Sequence, residues 1–487
     1  MVGRELERIR QMTYTAFGFY LFLVIALLIY YTVPLRIRWV ILLAASGAFY
    51  LIAYRTGWWI VLLSALLSYG AGLLLQHCTR YRRLLFGSTV ILVALPWFFM
   101  KNGDFLLGLV FHMPPVFWIV PLGISFYTLQ ILAYLADLYQ GKIQAEKNPA
   151  KYMLFLCFFP QMIQGPIPRY GELFPQLVKG HRFDEACFVK GCQLLLWGFF
   201  LKLMIADRAD IIVREIFEHP KQYTGCYILV AGILYSLELY ADFLACVKLS
   251  QGSAALFGIT LSENFRRPYF ACSVKEFWRR WHISLSSWLR DYIYIPLGGS
   301  KGGTVAKYKN LLVTFFISGV WHGAGYKFIF WGMMHACYQI AGSLSAPVKE
   351  RFYRRIQMPQ GIKTCLQRAG VFFWVMCAWI IFRADRLTTG LFMLKSMFFV
   401  HNPWILFNDK LLTLGLDWKE WCVLTGSVCV LFYIEHKQEQ GISIRNVILQ
   451  NPVYIRFGVY LTAILLIMIF GTYGFGFDPK DFIYGGF

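Results

Sequence analysis

Two histidines define the chemistry open to this chain. His282 lies in SVKEFWRRWHISLSSWLRDYIYIPL, residues 273–297, and His322 in LLVTFFISGVWHGAGYKFIFWGMMHACYQ, residues 311–339. Histidine is the side chain whose ordinary pKa lets it take or give a proton near neutral pH. An ionisable residue inside an apolar, span-like segment is costly and marks function by default. Beside His322 stand Gly319, Gly323 and Gly325, which allow close backbone approach and could open space for a substrate next to the imidazole. The competing reading is a satisfied core histidine. His335, in the same apolar stretch, has no glycine cluster or polar neighbour and reads as structural.

The element that must carry His282 announces its own start. Ser273 with Glu276 three positions on is the reciprocal capping pattern that satisfies two amide donors of a new helix. At 100° per residue, Phe277, Trp281, Leu285, Trp288, Leu289 and Tyr292 fall on one arc, with Lys275, Arg279, Ser286 and Arg290 opposite Phe277. Glu276 and Arg280 form a correctly ordered i,i+4 pair. The pattern predicts an interfacial amphipathic helix, with His282 between the aromatic and basic faces, where it could line a cavity. Its cationic neighbours favour a neutral imidazole. The alternative is a strut at the membrane surface, anchored by its aromatic rings. GGSKGG, at 298–303, does not fit a phosphate-binding GxxxxGK[ST] loop and reads as a connecting loop.

The whole chain is built for lipid. Its 487 residues are 58% hydrophobic and 15% charged, against about 45–50% and about 25% in soluble domains. Spans need about 20 mainly apolar residues, and good candidates lie near 14–33, 58–76, 84–100, 115–136, 189–205, 224–244 and 455–475. Segments near 38–54, 150–165, 311–340, 368–383 and 420–434 carry Gly, Pro or polar residues, which lipid tolerates only where protein or a cavity covers the backbone. The fold expected is an all-α integral membrane protein, one polytopic domain over 1–487, with about ten to twelve transmembrane helices plus re-entrant and interfacial pieces. The net charge of +21 sits between apolar stretches and suits anionic headgroups. No recognised basic motif accompanies it, so no nucleic-acid partner is expected. The twelve cysteines show no CxxC pair and no metal-ligand spacing, so no metal is expected. Those around Cys157, Cys337, Cys377 and Cys429 read as buried small hydrophobes.

The two histidine blocks, EFWRRWHISLSSWLRDYIYIPLGG and GVWHGAG, resemble the signature blocks of the membrane-bound O-acyltransferase superfamily. PLGISFYTLQ at 121–130, FFPQMIQGPIPRY at 158–170 and LSENFRRPYF at 261–270 resemble its alginate O-acetyltransferase branch. Similarity to the teichoic acid D-alanyl transferases is more distant. The resemblance covers residues 90–340 well. One stretch departs: DFLACVKLSQG, from Asp242 to Gly252, places Lys248 where that branch has an acidic residue.

The resemblance implies that His322 is the catalytic histidine and His282 a second one facing the same central channel. A hydroxyl is a poor nucleophile at neutral pH, and a neutral imidazole is suited to take its proton as it attacks a thioester carbonyl. Trp321 and Gly323 would shape the tunnel around the base. Gln164 and Pro166 would form an irregular channel wall, and Arg290 and Asp291 also fall to the channel. Lys275 and Arg279 could hold the phosphates of an acyl-CoA or acyl-carrier thioester donor, or lipid headgroups instead. The resemblance further implies no bound cofactor, a polysaccharide acceptor, membrane lipid, an extracytoplasmic acetyltransferase partner of the SGNH/GDSL hydrolase-like kind, and a bacterial cytoplasmic membrane. Rival readings are a transporter of polysaccharide or lipid-linked sugar, for which repeated halves with broken helices are expected and not found, and an inactive scaffold, for which Lys248 is the sole support.

Overall fold

A backbone in hydrocarbon must satisfy its own hydrogen bonds, so long apolar segments become helices. The computed structural model describes residues 12–53, 57–112, 121, 123–162 and 164–473. Among these, every regular element is helical. Seven helices are long and apolar enough to cross a membrane: Leu35–Ala53, Trp58–His77, Arg82–Leu109, Glu185–Glu218, Cys226–Leu256, Gln360–Arg383 and Val453–Phe470. Phe17–Thr32 and Leu387–Phe399 are shorter apolar helices. The chain is an all-α, multi-pass membrane protein.

Segment boundaries follow local chemistry. The regions near 38–54 and 368–383, set apart from the good span candidates by their Gly or polar residues, are continuous helices over their described residues. Ser46 explains the first case, because its hydroxyl donates to the Leu42 carbonyl at 2.7 Å and its polarity is satisfied inside the helix. The span expected over 115–136 is a helix at Ile124–Tyr139; residues 115–120, with Leu122 and Ile163 of the resembling segments, lie outside the described residues. Cys157 and Cys377 are buried as expected, whereas Cys337 and Cys429 are exposed. On a membrane helix the outward face meets lipid, so a small apolar side chain is as well placed outside as inside.

The chain folds into two compact units: one holds the described residues up to Leu195 with Cys246–Glu263, the other Leu196–Ala245 and the described residues from Asn264 onward. In the first, Phe159 packs against Phe49 and Phe257, each with a centroid separation of 5.9 Å. The broken backbone around Pro160 is held by side chains: Tyr14 Oη and Ser250 Oγ donate to the Pro160 carbonyl at 2.7 and 2.5 Å. Gln130 Nε2 donates to the Phe155 carbonyl at 2.6 Å. These bonds let non-helical backbone survive in an apolar setting.

The second unit is organised by a tight helix pair and an aromatic core. Helices Gly303–His322 and Tyr326–Arg355 approach so closely that a Cβ at Gly319 would sit 2.5 Å from the Phe328 carbonyl, and one at Gly332 would collide with the Phe315 carbonyl. Trp331 stacks on Trp379 at 5.7 Å, and Trp379 meets Trp281 at 5.1 Å. A buried ion triad pins the π-helical turn Leu201–Ala206: Lys202 Nζ lies 2.7 Å from Asp242 and 2.9 Å from Asp207.

Candidate active site

The helix expected across 273–297 is broken where the chemistry sits. Val274–Arg280 and Ile283–Leu289 are separate helices, and a π-helical turn follows at Arg290–Tyr294. His282 forms the joint, with φ of +43° in the left-handed region that a side chain occupies only at a cost. The single amphipathic helix is thus corrected to two short helices, which let His282 leave the helical register and turn inward. The capping is also half of what the pattern suggested. Ser273 Oγ accepts from the Glu276 amide at 3.1 Å, but the Glu276 carboxylate reaches past Ser273 to the Cys272 amide at 2.8 Å. The Glu276–Arg280 pair forms at 2.6 Å, and Arg280 and Arg267 both bind Glu439, at 3.0 and 2.6 Å.

His282 is 1% exposed, and Asn264 decides its tautomer. Asn264 Oδ1 accepts the Ser284 backbone amide at 3.0 Å, a group that can only donate, so the oxygen assignment is fixed by that bond. The same oxygen lies 3.2 Å from His282 Nδ1. Nδ1 therefore carries the proton and Nε2 presents a lone pair. Burial pulls this imidazole from 6.5 down to about 3, which keeps it neutral.

His322 ends the Gly303–His322 helix and is 2% exposed. Its ring makes edge contacts with Trp321 at 4.9 Å, Trp331 at 4.8 Å and Phe382 at 5.5 Å. The Trp321 ring is also 6.1 Å from His282, so one indole contacts both imidazoles. Phe243 closes on His282 from the other side at 4.8 Å. Of the glycines near His322, Gly319 and Gly323 serve close packing, whereas a Cβ at Gly325 would meet nothing within 4 Å. A Cβ at Gly323 would lie 2.7 Å from the Phe328 ring, so Gly323 admits Phe328 to the site's edge. His335 is fully buried and accepts the Trp278 indole N–H at 3.2 Å, as fits a structural histidine, yet it shares Trp331 with His322, the Trp331 ring lying 5.0 Å from that of His335 and 4.8 Å from that of His322.

The other expected residues distribute as follows. Gln164 and Pro166 are buried in the first unit, and neither amide atom of Gln164 has a hydrogen-bond partner among the described residues. Arg290 is exposed and pairs with Asp291 at 2.7 Å. Lys275 and Arg279 are exposed on their short helix. Lys248 is half-buried and donates to Gln251 at 3.1 Å. Sequence reasoning did not single out Asn264, Phe243, Trp331 or Phe382 as neighbours of the histidines, because they come from four separated segments. It also passed over Lys202, although a lone lysine within an apolar span was signal enough to demand a buried partner.

The sequence model of the MBOAT, membrane-bound O-acyltransferase family, matches residues 142–389. The chain is 35% identical over 400 residues to a probable alginate O-acetylase of Azotobacter vinelandii, covering 78% of this chain and 76% of the relative. It is 34% identical over 330 residues to a peptidoglycan O-acetyltransferase of Helicobacter pylori, covering 61% and 62%. To a teichoic acid D-alanyltransferase of Bacillus subtilis it is 29% identical over 263 residues, covering 52% and 66%. Both histidines fall inside the family match.

Proposed function

The chain belongs to the membrane-bound O-acyltransferase family, and from that premise we propose that it transfers an acyl group, acetyl in the first instance, from a thioester to hydroxyls of an extracellular or cell-wall polysaccharide, with His322 as general base. The observation that carries this reading is the pair of buried imidazoles in contact with one indole, Trp321. The relatives of higher identity are O-acetylases of alginate and an O-acetyltransferase of peptidoglycan, which favours acetyl over D-alanyl.

In the proposed step His322 takes the proton of the acceptor hydroxyl as its oxygen attacks the thioester carbonyl. The carbon–sulfur bond breaks, the thiolate leaves, and the proton passes from the imidazole to the sulfur, giving an ester and a free thiol. His282, neutral with Nδ1 bound to Asn264, offers Nε2 as an acceptor that helps orient a hydroxyl or amide of either substrate. The packed aromatic rings keep bulk water from the imidazoles, which strengthens every polar interaction there. Gly323, Arg290 and Asp291 line the substrate path in this reading. The donor is acyl-CoA or an acyl-carrier thioester, whose phosphates the exposed Lys275 and Arg279 are chemically suited to hold. The acyl group reaches the polysaccharide directly or through an extracytoplasmic SGNH/GDSL-like acetyltransferase. The relatives are bacterial, and the cytoplasmic membrane is the location this reading assigns to the chain.

The test is expression of wild type and His322→Ala in a host lacking its own copy, at matched membrane levels, with mass spectrometry of ester-linked groups on the surface polysaccharide. Ester content is expected to fall by about 10²- to 10⁴-fold, the usual contribution of a positioned acid–base group. Unchanged ester content at equal protein level would remove His322 from the chemistry.

A further inference from the structure

A groove of about 720 Å³ opens in the second unit, walled by the helices Cys226–Leu256, Gln360–Arg383 and Trp418–Glu439 and by Tyr269. Two of those helices are long and apolar enough to cross a membrane, so the groove belongs to the part of the molecule that lipid surrounds. Its lining is polarised along its length. Leu229, Ile233, Phe373 and Met376 make one end apolar, while Gln360, Thr364 and Arg368, from the first turns of the Gln360–Arg383 helix, make the other end polar. From Gln360 to Met376 the lining runs ~24 Å at 1.5 Å per residue. One leaflet contributes ~15 Å to the hydrocarbon core, so the groove matches one acyl chain with its headgroup.

The polar end is built for an anion. Arg368 is anchored by a bond from Nε to the Phe270 carbonyl at 3.1 Å, with its guanidinium 4.8 Å from the Phe270 ring centroid. A guanidinium has five N–H donors, and this bond uses one. No carboxylate pairs with Arg368 among the described residues, whereas nearby Lys363 is committed to both oxygens of Glu350 at 3.0 and 2.9 Å. The helix starting at Gln360 has no side-chain cap, so its first-turn amides add donors and a positive dipole end.

We propose that this groove is a binding site for an anionic phospholipid of the surrounding bilayer. One acyl chain lies in the apolar trough and the phosphate meets Arg368 and the first turn of the Gln360–Arg383 helix. The assignment stands apart from the acyl-transfer reading, since none of the groove's residues takes part in that chemistry. Its test uses the full-length protein in detergent, offered phosphatidylglycerol or phosphatidylcholine with identical chains, with retained lipid and oligomeric state read by native mass spectrometry. Wild type is expected to retain phosphatidylglycerol about tenfold better, the scale of one hydrogen-bonded charge pair. Arg368→Gln should abolish that preference, Ala369→Trp should reduce retention of both lipids by filling the trough, and the control Lys419→Gln should behave as wild type. Equal retention of the two lipids by wild type would overturn the proposal. So would an undiminished phosphatidylglycerol preference in Arg368→Gln, undiminished retention of both lipids in Ala369→Trp, or a dimer that Ala369→Trp disrupts, which would make a second copy the occupant.

Discussion

Asn264 holds His282 in one tautomer through an oxygen that also accepts from the Ser284 amide and hydroxyl. Asn264→Ala removes that choice, and transfer is expected to drop by about tenfold or more at an unchanged membrane level, because the imidazole can then present either nitrogen. A pH measurement isolates His282 itself. Its folded value of about 3 lies below the ordinary 6.5, so between those values the unfolded chain binds more protons than the native one. Stability from this group is present above 6.5 and is lost as pH falls towards 3. Thermal unfolding in detergent should therefore show a smaller loss between pH 6.5 and 5 for His282→Gln than for wild type. Equal slopes would mean that His282 takes up its proton in the native state over the same pH range as in the unfolded chain.

At the scale of elements, two devices decide whether the site exists at all. The helix pair that positions His322 closes through Gly319 and Gly332, each facing a carbonyl of the other helix. Gly332→Val forces those backbones apart, with an expected loss of about 1–3 kcal/mol from overpacking, read as a lower unfolding midpoint together with lower transfer. The Lys202 triad fastens the π turn at Leu201–Ala206 to Asp242. Asp242→Ala leaves a buried ammonium with one carboxylate, and breaking a buried pair in this way costs about 3–5 kcal/mol. A variant as stable as wild type in a detergent melt would show that the triad is not a fastening. Neither device supplies a group to the proposed chemistry, so each acts on transfer only through the stability of the fold.

For the molecule as a whole, lipid accounts for what would be disorder in water. Ile469 and Met468 are 68% and 62% exposed on the Val453–Phe470 helix, which only hydrocarbon can cover. The surplus of basic residues lies between apolar stretches, where anionic headgroups neutralise it. The protein is accordingly expected to stay in the membrane pellet after an alkaline carbonate wash and to require detergent for release. Appearance in the wash supernatant would contradict the seven span-length helices.

Much of this could be read along the chain because it depends on local composition. Long apolar segments dictated helices, since a single segment in lipid satisfies its own backbone only in that form, and the resemblance of the two histidine blocks to a known family implied acyl transfer. Spacing also revealed the Glu276–Arg280 pair and the outward Lys275 and Arg279, because neighbours on one helix are separated by three or four residues. What the sequence could not supply were relations between distant segments. The break at His282 requires Asn264, eighteen positions earlier, to accept from His282, Ser284 and the intervening turn. The contact of Trp321 with both imidazoles, the ring of Trp331 between His322 and His335, and the partners of Lys202 arise only when helices pack. Helical periodicity constrains which face a residue occupies, while the identity of what lies opposite is set by tertiary structure.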